Sequence, residues 1–328
     1  DKYAEEYKAM FERQAPQADQ PKTMLPTDPK NIWMEGIGLI GLGANAKAAS
    51  IAGDLVVQNA RVRAIGEDAG GFRPISEKDL FDCEYWSLEQ AKLGKGAPPK
   101  FQGKVVMITG GSGTIGFAIA KAFSKLGAQT ILVDKDEIAL KESVAKLGVG
   151  HKYFPIDVTH SDAANQAMLA AINNFGGLDI LISNAGAAHA GPMLDISNEE
   201  LRNAFELNFF SHYSFSTEAA KILKDQNRGG QILFNISKQA VNPGKNFGAY
   251  GLPKATTFFL MRQLALELGS DGIRVNGINA DRIRSGLLTD DFISSRAKSR
   301  GVSESEYMAG NLLNKEVTAE HVLSLIHI

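Results

Sequence analysis

A strand, a glycine cluster and a helix follow one another without a break between residues 105 and 126. Val105-Val-Met-Ile-Thr109 is a short apolar run of β-type residues. Thr109-Gly110-Gly111-Ser112-Gly113-Thr114-Ile115-Gly116 is a loop. The stretch Ile115–Leu126 puts Ile115, Ile119, Ala122, Phe123 and Leu126 on one face of a helix. A second apolar run, Thr130–Asp134, ends in an acid 18 residues beyond Gly116. This order binds a dinucleotide for a physical reason. Glycines let the backbone approach a diphosphate, and the helix N-terminus faces its charge. Gly110, Ser112, Gly113, Thr114, Ile115 and Gly116 are therefore cofactor-binding candidates. Asp134 accepts hydrogen bonds from ribose hydroxyls and repels a 2′-phosphate, so NAD is favoured over NADP.

A second cluster, Gly36-Ile-Gly38-Leu-Ile-Gly41, fits the letters G-x-G-x-x-G better but lacks the context. Its lead-in is short, and no strand ending in an acid follows. A tight structural turn is the expectation there.

The rest of the chain after residue 103 repeats the pattern of buried-type runs and amphipathic helices. The runs are Val105–Thr109, Thr130–Asp134, Tyr153–Val158, Ile180–Ser183, Ile232–Ser237 and Ile273–Asn279. Six such runs alternating with helices predict an α/β fold, a Rossmann-type doubly wound parallel sheet covered on both faces. Its ligands sit beyond the C-terminal strand ends. The first 98 residues read differently. Residues 1–30 carry four prolines, with a helix over the first dozen. Residues 31–66 read as strand, turn and helix, and 76–93 as a helix that Ser76 and Asp79 cap. Residues 94–103 read as a linker. The expected division is 1–93, linker, and 104–328.

Composition limits the partners. With 35 basic and 37 acidic residues the net charge is −2, which gives no electrostatic case for nucleic acid or an anionic membrane. The one cysteine, Cys83, excludes an internal disulfide and fits a reducing, cytoplasmic setting. No apolar run is long enough to span a bilayer.

Tyr250-Gly-Leu-Pro-Lys254 puts a phenol and an ammonium on one helix face. An ammonium beside a phenol lowers its pKa toward the working range and makes it a general acid/base for moving a hydroxyl proton.

Taken in order, the loop 109–116, Asp134, Asp157-Val158, Asn184-Ala185-Gly186, Asn208, Asn235-Ile-Ser237, Tyr250-x-x-x-Lys254 and Ile273-Arg-Val-Asn276 resemble the short-chain dehydrogenases/reductases over residues ~100–315. The resemblance implies roles. Asp157 and Val158 flank the adenine. Asn184, Ala185 and Gly186 end the fourth strand under the cofactor, and Ile283 lies near the carboxamide. Asn208 holds the water of a proton relay. Tyr250 is the acid/base, and Lys254 binds the nicotinamide ribose and lowers the tyrosine pKa. Blander readings stay open: Asn184 as a strand-end cap, Asn208 as a helix residue bonded to backbone, Asp157 as a turn former.

Three departures accompany the resemblance. Thr114 stands where compact members have glycine, a spacing that fits the extended epimerases and dehydratases, although Asn-Ala-Gly and Ile-Arg-Val-Asn are compact features. The serine pair of the family reads Ser237-Lys238, so either Ser237 fills the serine role or Lys238 brings a cation to the reacting oxygen. The family continues into a seventh strand, whereas this sequence stops at His-Val-Leu-Ser-Leu-Ile-His-Ile, so a truncated domain with an uncovered sheet edge is expected.

Residues 1–98, with segments 237–255 and 279–293, resemble fused class II aldolase/short-chain dehydrogenase proteins. The resemblance implies an aldolase remnant before the dehydrogenase, a parent linked to deoxyhexose use such as rhamnulose 1-phosphate cleavage, and a homo-oligomeric parent. It points to a small alcohol, hydroxyaldehyde such as lactaldehyde, or polyol as the substrate. Aldolases of this class hold a divalent metal on histidines. All six histidines (151, 160, 189, 212, 321, 327) lie outside residues 1–98, so no metal site is expected here. A metal-dependent lyase, an extended-type epimerase or dehydratase, and a nucleotide-binding module without turnover are the rivals to an NAD-dependent oxidoreductase. Arg282, Arg284, Arg296 and Arg300 cluster after the sixth strand and are candidates to bind a phosphate or carboxylate.

Overall fold

The structure is a computed structural model that describes residues 2–87, 97–188, 190–286 and 288–322. The chain divides into two compact units between residues 99 and 100.

In the first unit, helix α1 (Lys2–Gln14) packs on helix α3 (Glu77–Glu84) through aromatic rings. Phe81 stacks on Tyr85 at 4.6 Å between ring centres, and Phe11 tilts against both. The Tyr7 hydroxyl bonds Glu84 at 2.9 Å and the Tyr85 hydroxyl at 2.8 Å. Ser76 caps α3 by accepting from the Asp79 N–H, as its sequence predicts. The helix ends at Glu84 with Tyr85 as its C-cap, short of the predicted residue 93; residues 88–93, and 94–96 of the linker, lie outside the described residues. The Gly36–Gly41 cluster is a hairpin. Strands β1 (Asn31–Met34) and β2 (Gly38–Gly41) pair antiparallel around the turn. Gly36 and Gly38 have φ of 75° and 125°, open only to glycine. A Cβ on Gly41 would run into the backbone of Gly53 in helix α2 (Ala46–Asp68). All three glycines thus have structural reasons, and the G-x-G-x-x-G letters carry no ligand loop.

Among the described residues the second unit holds a six-stranded, wholly parallel sheet. Its strands are β3 (Val105–Thr109), β4 (Gln129–Asp134), β5 (Lys152–Pro155), β6 (Ile180–Ser183), β7 (Gly230–Asn235) and β8 (Ile273–Ile278), in spatial order β5-β4-β3-β6-β7-β8. The helices are α4 (Thr114–Lys125), α5 (Glu137–Leu147), α6 (Ala163–Phe175), α7 (Asn198–Phe205), α8 (Ser211–Gln226), α9 (Gly248–Leu268), α10 (Asp290–Arg300), α11 (Glu304–Met308) and α12 (Ala319–Val322). Every residue of β3 is buried, which explains its unbroken apolar run. Met107, Ile131, Leu181 and Ile232 pack one face with α6 and α8, while Val106, Ile108, Leu132 and Ile182 pack the other with α4. Among the described residues β8 forms one edge, with Arg274, Asn276 and Gly277 exposed.

Two strands end two or more residues before the sequence reading places their ends. β5 ends at Pro155, so Asp157 and Val158 lie in the loop beyond the strand. β7 ends at Asn235, because Ser237 starts a 3-10 turn over Lys238–Ala240 and caps it from the Gln239 N–H. The strand order reverses between β3 and β6, which opens a crevice at their C-terminal ends.

Candidate active site

The loop after β3 turns sharply because Gly110 has a φ of 63°. A Cβ on Gly116 would collide with the carbonyl of Gly110, so the helix sits directly against its own lead-in loop. Gly113 caps α4 with no side chain, so its first N–H groups face open space. Ser112 donates its hydroxyl to Asp134 at 2.7 Å, with its N–H at 3.3 Å from the same oxygen. The acid at the end of β4 is thereby held against the glycine loop.

Asn184 ties three strand ends together. Its side-chain N–H donates to the Thr109 and Gly110 carbonyls, and its carbonyl oxygen accepts from Asn235 at 2.9 Å. This is the capping role left open in the sequence. Gly186 follows, and a Cβ there would crowd Asn208 and Lys254. Asp157 accepts from the N–H and hydroxyl of Thr159, which lowers its pKa and closes a turn.

Asn208 lies in a π-helical segment, Glu206–Phe210, between α7 and α8. Its side-chain N–H bonds the carbonyls of Ala187 and Ala204, and its backbone carbonyl accepts the Thr257 hydroxyl at 2.7 Å. Its side-chain oxygen is buried without a partner, as is that of Asn235. Two orphaned acceptors beside one cavity fit a site that takes a polar ligand or water.

Tyr250 and Lys254 lie on the first turns of α9, both buried. The Lys254 nitrogen donates to the Asn235 carbonyl at 3.1 Å and meets Nε2 of His212 at 3.2 Å. Nδ1 of His212 is 2.6 Å from the Ser183 hydroxyl. Burial lowers Lys254 to about 7. Burial, with the nearby Lys254 charge, holds His212 well below its ordinary value, so the ring is neutral. Tyr250 corrects an expectation. Its pKa is raised, because burial outweighs a hydrogen bond from Ser237. Lys254 does not lower it here, since its nitrogen lies 5.9 Å from the ring centre and burial weakens its own charge.

Ser237, not Lys238, faces the phenol. Lys238 pairs with Asp281 at 3.3 Å. His212 and Ser183 escaped the sequence reading. The available signal was the spacing of Asn208 and His212, four apart on one helical face.

These groups line one cavity of about 470 Å³, within the usual range for small-molecule sites. Gly110, Gly113, Thr114, Ile115, Gly116, Asp134, Asp157, Val158, Asn184, Ala185, Gly186, Ser237, Tyr250, Lys254 and Ile283 all contribute to its wall. Ser112 and Asn208 stand behind it, bonded to Asp134 and Ala187. Among the described residues no cluster of three metal-ligating side chains occurs. No described helix is long and apolar enough to cross a membrane.

Comparison with known proteins agrees with this geometry. Residues 104–292 match the family model for short chain dehydrogenase, and residues 1–93 match the second domain of class II aldolases. The chain is 32% identical over 291 residues to the uncharacterized oxidoreductase YuxG of Bacillus subtilis, covering 87% of this chain. It spans only 42% of the length of that relative. It is 34% identical over 182 residues to 7alpha-hydroxysteroid dehydrogenase of Escherichia coli, covering 55% of this chain and 71% of that protein. L-sorbose reductase from Gluconobacter frateurii, solved with NADPH and L-sorbose, is similar with a TM-score of 0.64 and 26% identity, over 70% of this chain and 90% of that one. NAD+-bound xylitol dehydrogenase shares the fold, with a TM-score of 0.65 and 24% identity over 70% of this chain and 92% of that one. With its parallel sheet, glycine loop and Tyr250–Lys254 pair on one cavity, this chain belongs to the short-chain dehydrogenase family of oxidoreductases.

Proposed function

We propose that this chain carries an NAD-dependent dehydrogenase that interconverts a small alcohol or polyol and its carbonyl compound. The observation that carries the reading is the convergence of Ser237, Tyr250 and Lys254 on the cavity that the glycine loop opens. NAD, when bound, supplies the hydride chemistry. The loop fits its diphosphate, because Gly110 and Gly116 leave no room for a Cβ between loop and helix. The Asp134 carboxylate takes the adenosine ribose hydroxyls and disfavours a 2′-phosphate, which makes NAD the better match than NADP. Asp157 and Val158 flank the adenine, Asn184, Ala185 and Gly186 form the floor, and Ile283 meets the carboxamide end.

Tyr250 moves the proton of the reacting hydroxyl at its phenolic oxygen. Ser237 hydrogen-bonds that phenol and orients the substrate oxygen. Lys254 holds the nicotinamide ribose. The orphaned Asn208 side-chain oxygen is a landing point for a relay water.

The same reading extends to the protein's setting. Residues 1–93 belong to a class II aldolase region fused ahead of the dehydrogenase, residues 94–103 join them, and the substrate comes from sugar breakdown, for which lactaldehyde is one candidate. The setting is cytoplasmic. The parent is a homo-oligomer, for which Phe259 and Leu266 on α9, both well exposed, are the candidate contact. A screen of small polyols and hydroxyaldehydes, read by NADH absorbance, tests the reading. Turnover that depends on Tyr250 supports it, and NADH binding without turnover on any of them contradicts it.

A further inference from the structure

The four arginines after β8 do different work. Arg284 turns to acids, pairing with Asp290 and with Glu316 at 2.8 Å. Arg282 is held by the carbonyls of Tyr307 and Gly310 and lies 3.4 Å from Asp281. Arg296 and Arg300 have neither kind of tie. Both line the cavity that contains Tyr250 and Lys254. Among the described residues neither has a carboxylate within ion-pair distance.

Each is nevertheless positioned. The Arg296 guanidinium stacks over the Phe247 ring at 5.1 Å, and that of Arg300 over Tyr307 at 5.2 Å. A guanidinium flat on a ring keeps its N–H edge free to form a fork with an anion. The Nε of Arg296 is buried with no hydrogen-bond partner, and a buried donor without an acceptor is costly. Both arginines belong to α10, one turn apart, so their forks project to the same side. The acids of the cavity do not answer them. Asp134 ends β4 and Asp157 follows β5, on the other half of the sheet, and Asp281 is already shared by Lys238 and Arg282.

We propose that Arg296 and Arg300 form an anion subsite, and that the substrate is a small hydroxy or keto compound bearing a carboxylate or phosphate ester. This rests on the dehydrogenase reading above and narrows its substrate class. The anion sits on α10, and the carbon to be oxidised lies toward Tyr250. A fork between guanidinium and anion is a charge-assisted contact.

The test uses the full chain saturated with NAD and a matched set: glycerol, glycerate and glycerol 3-phosphate. Equilibrium titration and initial rates are both read. The subsite predicts that at least one anionic member binds about 30-fold more tightly than glycerol, the gain expected of a charge-assisted contact. Preference for glycerate identifies a carboxylate, and preference for glycerol 3-phosphate a phosphate ester. Arg296→Met and Arg300→Met should each remove most of that preference while NADH still binds. Arg300 is exposed, so its variant keeps the test open if Arg296→Met does not fold. Equal binding of all three compounds, or an anion preference that survives both substitutions, overturns the subsite. Glycerol oxidation that Tyr250→Phe abolishes, without any anion preference, would sink the subsite and leave the dehydrogenase reading standing.

Discussion

The Lys254 ammonium nitrogen lies 3.2 Å from Nε2 of His212, and both groups are buried. Among the described residues the other acceptor on that nitrogen is the Asn235 carbonyl, and no carboxylate lies within ion-pair distance. Burial therefore lowers Lys254 from 10.5 to about 7. The unfolded chain keeps its proton up to the ordinary lysine range, so between pH 7 and 10 the unfolded state binds more protons. Stability contributed by this group therefore rises with pH across that window, by at most about 1.4 kcal/mol per unit. Below pH 7 the cost of burying the charge is fully present. Tyr250, raised by burial, acts in the opposite sense only above pH 10.

Urea unfolding of the cofactor-free protein at pH 7, 8 and 9 reads this directly. The wild type should gain stability over that range, and Lys254→Met should flatten the gain. His212→Leu removes an acceptor from the charged form, so its rise should begin at lower pH. Parallel curves for wild type and Lys254→Met would show that Lys254 does not carry the pH dependence, and a His212→Leu curve that keeps the wild-type onset would show that His212 does not bear on it.

Gly116→Ala forces a methyl group into the Gly110 carbonyl. The loop must open, at a cost of about 1–3 kcal/mol. Calorimetry should show a lower Tm, and NADH titration an affinity loss of at least about tenfold, since a 1.4 kcal/mol distortion already gives that factor. Unchanged NADH affinity would separate the loop from the cofactor.

Asp134→Ala removes a carboxylate that accepts from Ser112 at the end of β4. The ratio of kcat/KM for NADP to that for NAD should rise about 10- to 100-fold, the effect of removing a repulsive charge near a phosphate worth ~1.5–3 kcal/mol. A flat ratio would assign the acid to holding the loop alone.

Leu266→Glu changes an exposed apolar residue of α9. Its effect on folding should stay within about 0.5 kcal/mol, typical of surface sites. Light scattering should show a smaller assembly than the wild type. An unchanged mass would exclude this part of α9 as the contact.

The strands were legible where one residue type ran without a break. Val105–Thr109 and Ile180–Ser183 match the predicted limits, because fully buried parallel strands need no polar face. Boundaries failed where turns overrode the apolar run. Asp157 bonds Thr159 and breaks away from β5, and Ser237 caps a 3-10 turn instead of ending β7. The structural turn at Gly36–Gly41 was legible because no strand ending in an acid followed it, although its form as a hairpin was not. His212 was not, since its contact with Lys254 joins residues 42 apart. The direction of the Tyr250 shift was not legible either. Spacing puts a lysine on the right helical face, whereas burial sets how much charge it keeps.

In the proposed reaction Tyr250 moves a proton as the hydride is transferred. The most direct measurement compares wild type and Tyr250→Phe on one turned-over alcohol, with NADH affinity measured for both. The phenylalanine keeps the ring and removes only the hydroxyl that Ser237 bonds. The kcat should fall by about 100-fold or more, the usual weight of a positioned acid/base, with NADH affinity within about threefold. Equal kcat values for the two proteins would contradict it.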